Sequence, residues 1–449
     1  MKATPAILPL PGINYSLFSF KIALLFSVLI GSLLVLGNTW ATLLFGLLLI
    51  YALLGPVNCI QSLTVSFVIF FINPAFGDLV VGGGVLLRTL LPFLCFGVGL
   101  WYLYKQQKTF YTLGPLFFLI GVLVIINLFS SYYLSVSLFK LLLLFVGASG
   151  IISCFQTAKK TKIYWLKWFF TLYLTFLILS VPTFLVPSIG YFRNGSGFQG
   201  LSNQPQAFGI FIAPFASYAI CHFLFNNSKY FWGGIMALSL GFVFASGSRT
   251  SFITVILSVF LALLIKGFIG RFLRRIFSLK FFIYGLVLLL LILSQLSTIK
   301  EGVRSFVLKR DQKLDVSESF EASRGFLILT QLKNISENPL LGIGFQLSSI
   351  PKELIVKTDP FFGLPIQAPV EKGNILTAIL EENGIIGTAV FIIFFVILIL
   401  RIGRHNSIEL VGMTLASILT NIGEATLFSF GGMGLFVWLI IGLGYYKYL

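Results

Sequence analysis

Charge is scarce in this chain. Of 449 residues only 10% are Asp, Glu, Lys or Arg, fourteen are acidic and two are histidine, whereas 57% are hydrophobic. A water-soluble helical protein needs polar faces on its helices, and the runs 112–128, 139–152 and 281–293 have almost none. That excludes a soluble all-α protein with an unusually large core. Metal chemistry is disfavoured too, because there is no Asp-x-Asp pair and no His/Cys/carboxylate cluster with ligand spacing. A phosphate-binding Gly-Lys-Ser/Thr loop is missing, so this chain alone does not drive transport with ATP. No repeat of fixed period is visible, which weakens transporter folds built from two related halves. The four cysteines, Cys59, Cys95, Cys154 and Cys221, lie in or beside apolar segments without pairing spacing and read as packing residues.

What is abundant is apolar sequence in runs near the ~20 residues that cross a bilayer. Spans are predicted near 19–36, 39–54, 57–73, 84–104, 112–128, 136–155, 165–186, 206–225, 231–246, 250–266, 280–298, 376–400, 407–421 and 427–446. The first is expected to act as an uncleaved anchor, since no cleavage pattern opens the sequence. Several runs are short, so the expected fold class is an all-α polytopic membrane protein of about 12–14 transmembrane helices, with room for a re-entrant piece. A formal net charge of +17 would suggest nucleic acid in a soluble protein. Here its placement says otherwise: Lys105 to Lys108, Lys159 to Lys167 and Lys266 to Lys280 fill short loops that all fall on one side, the cytoplasmic one by the positive-inside rule.

The interval 299–375 is the exception to the scarcity, with nine of the fourteen acidic residues and ten basic ones. It falls on the outer side and divides the chain into a bundle (1–298), an extracytoplasmic loop domain (299–373) and C-terminal helices of the same bundle (374–449). Arg193 in the loop 187–209, Arg249 in the turn 247–252, Arg324 and Arg88 map to that same side. Guanidinium groups present planar forks to phosphate oxygens, so several at one leaflet suggest a diphosphate site, although a lone arginine there also serves as a snorkelling anchor. Carboxylates at the edge of spans are costly and informative. Glu381 and Glu382 lie one to two turns into the helix that starts near Asn374, with Glu382 about 80° away from the face shared by Asn374 and Glu381. Glu424 lies in the turn before the last span, and one of the adjacent glutamates is expected to pair with an arginine, for structure or for function. Both histidines, His222 and His405, fall on the cytoplasmic side, away from any outer site.

The stretch SRGFLILTQLKNISENPLLGIGF at 323–345 resembles the arginine-bearing helix and Pro-Leu-x-Gly-x-Gly turn of the O-antigen ligase and polymerase superfamily, bacterial membrane proteins that handle undecaprenyl-diphosphate-linked glycans. Asn374, then an apolar helix, then Glu382, Gly384 and Gly387 are similar to that family's Asn and Glu-x-Gly-x-x-Gly pattern, and Ser248-Arg249 and the segment 193–206 add weaker matches. The resemblance implies metal-independent, cofactor-free glycosyl transfer at the outer face of the cytoplasmic membrane. Its donor would be a lipid-diphosphate-linked glycan and its acceptor another glycan, leaving room for flippase and chain-length-regulator partners. Gly373 stands where ligases of the family carry a histidine, which points to the polymerase branch. With that histidine gone, Glu371 is the first candidate for the base and Glu382 the second. Arg193, Arg249, Arg324, Arg88, Lys372 and Asn374 are the expected diphosphate and glycan contacts. Two other classes stay open: a lipid-linked oligosaccharide transporter, which would line its spans with cations, and a structural scaffold, which would not need buried glutamates.

Overall fold

The computed structural model describes residues 18–76, 83–108, 110–193, 197–225, 229–267, 326–350, 354–358, 363–365, 372–430 and 432–446. Glu371, Arg324 and the predicted span 280–298 lie outside them. Helices α1 (Phe20–Ala52), α2 (Pro56–Phe71), α3 (Gly83–Lys105), α4 (Gly114–Ser130), α5 (Leu134–Thr157), α6 (Lys162–Ser180) and the single turn α7 (Pro187–Gly190) make the first half. α8 (Pro205–Phe225), α9 (Lys229–Ala245), α10 (Arg249–Ile265), α11 (Phe326–Glu337), α12 (Ile375–His405), α13 (Ile408–Leu419) and α14 (Met433–Tyr445) complete it. Six of these are long and apolar enough to cross a membrane, and six shorter apolar helices accompany them, so the protein is an all-α, multi-pass membrane protein.

Most helix ends follow the boundaries of the apolar runs. The runs 19–36 and 39–54, predicted as two spans, form the single element α1, broken at Gly37 by φ +65 and ψ −150. Packing relies on small residues and on phenylalanine, since between helices in lipid there is no water to expel and close approach must supply the attraction. Gly150 of α5 lies so near Phe96 of α3 that a Cβ would sit 3.0 Å from its backbone nitrogen. Phe67 and Phe71 of α2, Phe211 and Phe215 of α8 and Phe436 of α14 stack through the centre, with neighbouring centroids 4.9–6.1 Å apart. All four cysteines are buried and unbridged, as their apolar setting predicts.

The two ends of the bundle differ in chemistry. At one, Lys160 lies over the Tyr164 ring (4.8 Å), Lys162 over Tyr446 (5.8 Å) and Arg401 over Tyr445 (4.8 Å), and α3 ends at Lys105. At the other, the loop 187–204 folds over the end of α2: Asn73 donates from its backbone to Leu201 O (2.8 Å) and from its side chain to Ile189 O and Gly200 O (2.8 and 2.9 Å). This second end also holds the start of α12 and the junction described next.

Candidate functional site

Helix α12 is broken at Gly384, whose φ +60 and ψ −168 are accessible to glycine and almost nothing else. A break orphans carbonyls on one side and N–H groups on the other, and such groups must be satisfied near or within a membrane. The Pro-Leu-Leu-Gly-Ile-Gly turn does this. Ile343 N donates to Glu381 O (2.9 Å) and Gly344 N to Glu382 O (2.9 Å), while Ile385 N donates to Pro339 O (2.9 Å) and Ile386 N to Leu340 O (3.4 Å). The two glycines face each other across this seam. A Cβ on Gly342 would lie 2.4 Å from the Glu382 carbonyl carbon, and one on Gly384 2.2 Å from Leu340 O. The stretch beyond the break, 385–405, is about 31 Å long at ~1.5 Å per residue, the thickness of a hydrocarbon core. The turns before it carry the carboxylates.

Glu381 is fully buried and fully bonded. Asn334 Nδ2 donates to its Oε1 (2.6 Å), Ser349 Oγ donates to its Oε2 (3.0 Å), and Lys372 Nζ is 2.5 Å from that same oxygen. Lys372, itself 5% exposed, also reaches Ser349 Oγ (3.2 Å) and stands 3.8 Å from Glu382 Oε1. Sequence leads one to expect arginine opposite this glutamate; among the described residues the partner is lysine. Gly373 explains how a residue nine positions upstream gets there: its φ of +69 turns the chain back, so that Asn374 N donates to Lys372 O (2.8 Å). Asn374 then caps α12, its Oδ1 accepting from Leu376 N (2.8 Å). Gln331 Nε2 holds the Lys372 carbonyl (2.9 Å), and Thr377 Oγ1 donates to Gln331 Oε1 (2.7 Å).

Glu382 is different. It is 1% exposed, with the backbone N–H of Gln346 and Lys140 of α5 both within electrostatic reach, yet its Oε2 has no hydrogen-bond partner among the described residues. A buried carboxylate with an unused acceptor, between two lysines, is poised to take a further hydrogen bond or a proton.

Helix α11 supports this network with its polar side. Gln331 and Asn334 face α12, whereas Phe326, Leu329 and Leu332 are 65%, 63% and 50% exposed, the reverse of a helix on a water-soluble core.

Of the other expected contacts, Arg193, Arg249 and Arg88 sit at the same end of the bundle, and Arg324 lies outside the described residues. Arg193 is exposed, and its backbone N–H donates to Gln199 Oε1 (3.0 Å); Phe198 N donates in turn to Ala245 O (2.9 Å), bringing that loop against the turn that leads to Arg249. Arg249 is half-buried at the first position of α10. Arg88, near the start of α3, stacks over Phe70 at 5.7 Å, and Phe70 O accepts from Asn203 (3.3 Å). The loop after α13 joins the two groups: a Cβ on Gly423 would meet Thr250 Oγ1 at 2.1 Å beside Arg249, and Phe428 packs on Phe345 (5.1 Å) beside Glu382. His222 is at the opposite end of α8, 3.7 Å from Glu409. Lys140, Asn334, Ser349, Gln331 and Gln346 were not legible as site residues, since each is an ordinary polar residue until the fold brings it to the glutamates.

No curated protein matches the chain significantly. The family model described as O-Antigen ligase matches residues 234–392, from α9 through the broken part of α12, and so agrees with the O-antigen ligase and polymerase resemblance carried by the turn at 339–344 and by Glu382, Gly384 and Gly387.

Proposed function

We propose that this protein is a glycosyltransferase that polymerises lipid-diphosphate-linked oligosaccharide repeat units at the outer face of the cytoplasmic membrane. The observation that carries the reading is Glu382. Within the segment matched by the ligase family model, it is a buried carboxylate that keeps an acceptor oxygen unused among the described residues. The acceptor glycan's hydroxyl attacks the anomeric carbon of the donor as the bond from that carbon to the diphosphate oxygen breaks. The electron pair leaves with the diphosphate and the hydroxyl proton passes to a carboxylate, Glu382 or Glu371. Arg193, Arg249, Arg324 and Arg88 stabilise the departing diphosphate, the work a metal ion does in other transferases. Lys372 and Glu381 fix one another beside the reacting centre, and Asn374 sets the helix start. The positive-inside rule, applied to the basic end that carries Lys105, Lys160, Lys162 and Arg401, supports placing the carboxylate end outside.

Because the matched family model is described as a ligase, transfer of finished glycan to another acceptor is the second reading. Gly373 favours the polymerase: its left-handed φ serves the turn that delivers Lys372, at the position where the resembled ligases carry a histidine. Deleting the gene separates the two. Loss of a polymerase leaves single repeat units that are still transferred onward, whereas loss of a ligase leaves full-length polymer on the carrier lipid. Neither phenotype would be expected if the protein were a transporter, whose loss stops repeat units from reaching the outer leaflet.

A further inference from the structure

We propose that Lys140 is a positioning residue for Glu382 and acts through the backbone of Gln346. Gln346 has φ +53, one of two non-glycine residues with positive φ among the described residues. Such a conformation is disfavoured by roughly a factor of 5 to 30 for a residue with a side chain, so something must hold it. The other, Gln107, is in a surface turn after α3. Gln346 and the residue before it are instead held by three bonds. Lys140 Nζ donates to Gln346 O (2.6 Å), Ser137 Oγ, one turn earlier on α5, donates to Phe345 O (3.0 Å), and Phe345 N donates to Asn127 Oδ1 on α4 (2.6 Å).

The consequence is directional. Ser137 holds the peptide that carries the Gln346 N–H, through Phe345 O, and Lys140 holds the next one, through Gln346 O, so the two together fix the φ at which that N–H turns toward Glu382. That N–H steadies the Glu382 carboxylate while leaving Oε2 without a partner among the described residues. The lysine thus aims the glutamate by holding a strained backbone in place, in addition to lending it positive charge. An exposed lysine on a water-facing loop could not do this, because its ammonium would be hydrated and mobile. Lys140 is half-buried on a helix whose neighbouring turn is pinned to the same loop.

This inference rests on the reading of Glu382 as proton acceptor, and the test keeps the two apart. The full-length protein in lipid nanodiscs is assayed with the lipid-diphosphate-linked repeat unit extracted from a strain lacking this protein. Lys140→Met should lower kcat about tenfold with KM within about twofold, the pattern for a group that acts on the transition state more than on binding. In the Gln346→Gly background, where glycine takes the left-handed conformation without help, the effect of Lys140→Met should shrink below about threefold. Gln346→Val, whose branched side chain resists that conformation, should lower kcat as Lys140→Met does, and serves as the test should Lys140→Met not fold. The inference is overturned if the effect of Lys140→Met is undiminished in the Gln346→Gly background, or if Gln346→Val keeps the parental kcat. It is equally overturned if Lys140→Met is as active as the parent while Glu382→Gln is inactive. Full activity of Glu382→Gln is a separate result: it removes Glu382 from proton transfer and the positioning role with it.

Discussion

Replacing Gly384 by alanine tests the junction on which the site depends. Two penalties apply there. The backbone at φ +60 and ψ −168 costs a residue with a Cβ about 1–3 kcal/mol. The new methyl would also lie 2.2 Å from Leu340 O and 2.3 Å from the Leu340 carbonyl carbon, both backbone atoms with no rotamer to change. Relief requires the 339–344 turn to withdraw, which breaks the four bonds that join it to Glu381, Glu382, Ile385 and Ile386. At about 0.5–1.5 kcal/mol each, these add roughly 2–6 kcal/mol. Gly37 is the internal control. It has nearly the same conformation, φ +65 and ψ −150, but open space within 4 Å, so alanine there incurs the backbone cost alone. Thermal unfolding in detergent, with glycan polymer length as the activity readout, should show Gly37→Ala mildly destabilised and active, and Gly384→Ala several kcal/mol worse and inactive. If Gly384→Ala were no worse than Gly37→Ala in both measurements, the seam between turn and broken helix would not be what holds the carboxylates.

Three more outcomes follow from the same geometry. Glu381→Gln should cost about 1–3 kcal/mol of stability in the same unfolding assay, because it takes the nearer carboxylate from the buried Lys372 ammonium and leaves it Glu382 at 3.8 Å, whereas Glu381→Leu combined with Lys372→Met should be milder than Glu381→Gln alone. A cysteine at exposed Ser336 should react with a membrane-impermeant thiol reagent on intact cells and one at Gln107 should not, the four native cysteines being buried and silent; the opposite pattern would invert the topology. For Arg193 and Arg249, lysine should impair polymer formation nearly as much as alanine, since the planar fork is lost in both; retention of activity by both lysine variants would reduce these residues to simple charges.

The helices were legible because a bilayer leaves little freedom: an apolar run of the right length has few alternatives, and α2 to α6, α8 to α10 and α13 begin or end within a few residues of the runs that predict them. The break at Gly384 was not. Glu-Glu-Asn-Gly sits inside a continuous helical pattern, and the orphaned backbone groups find partners in a turn about forty residues upstream, a pairing that no local periodicity encodes. Lys140 was hidden for the same reason, reading as a stray charge in the run 136–155 until Gln346, 206 positions away, gives it a partner. Glu381 and Glu382 were legible as costly residues, but their division of labour was not. Neighbours on a helix point about 100° apart, so the fold can place one against Asn334, Ser349 and Lys372, where every oxygen is occupied, and turn the other toward Gln346 with an oxygen left open. Exchanging their roles would require rotating the first turns of α12, which the seam at Gly384 forbids. The same break that exposes the backbone to the 339–344 turn therefore also decides which of the two carboxylates is available for chemistry.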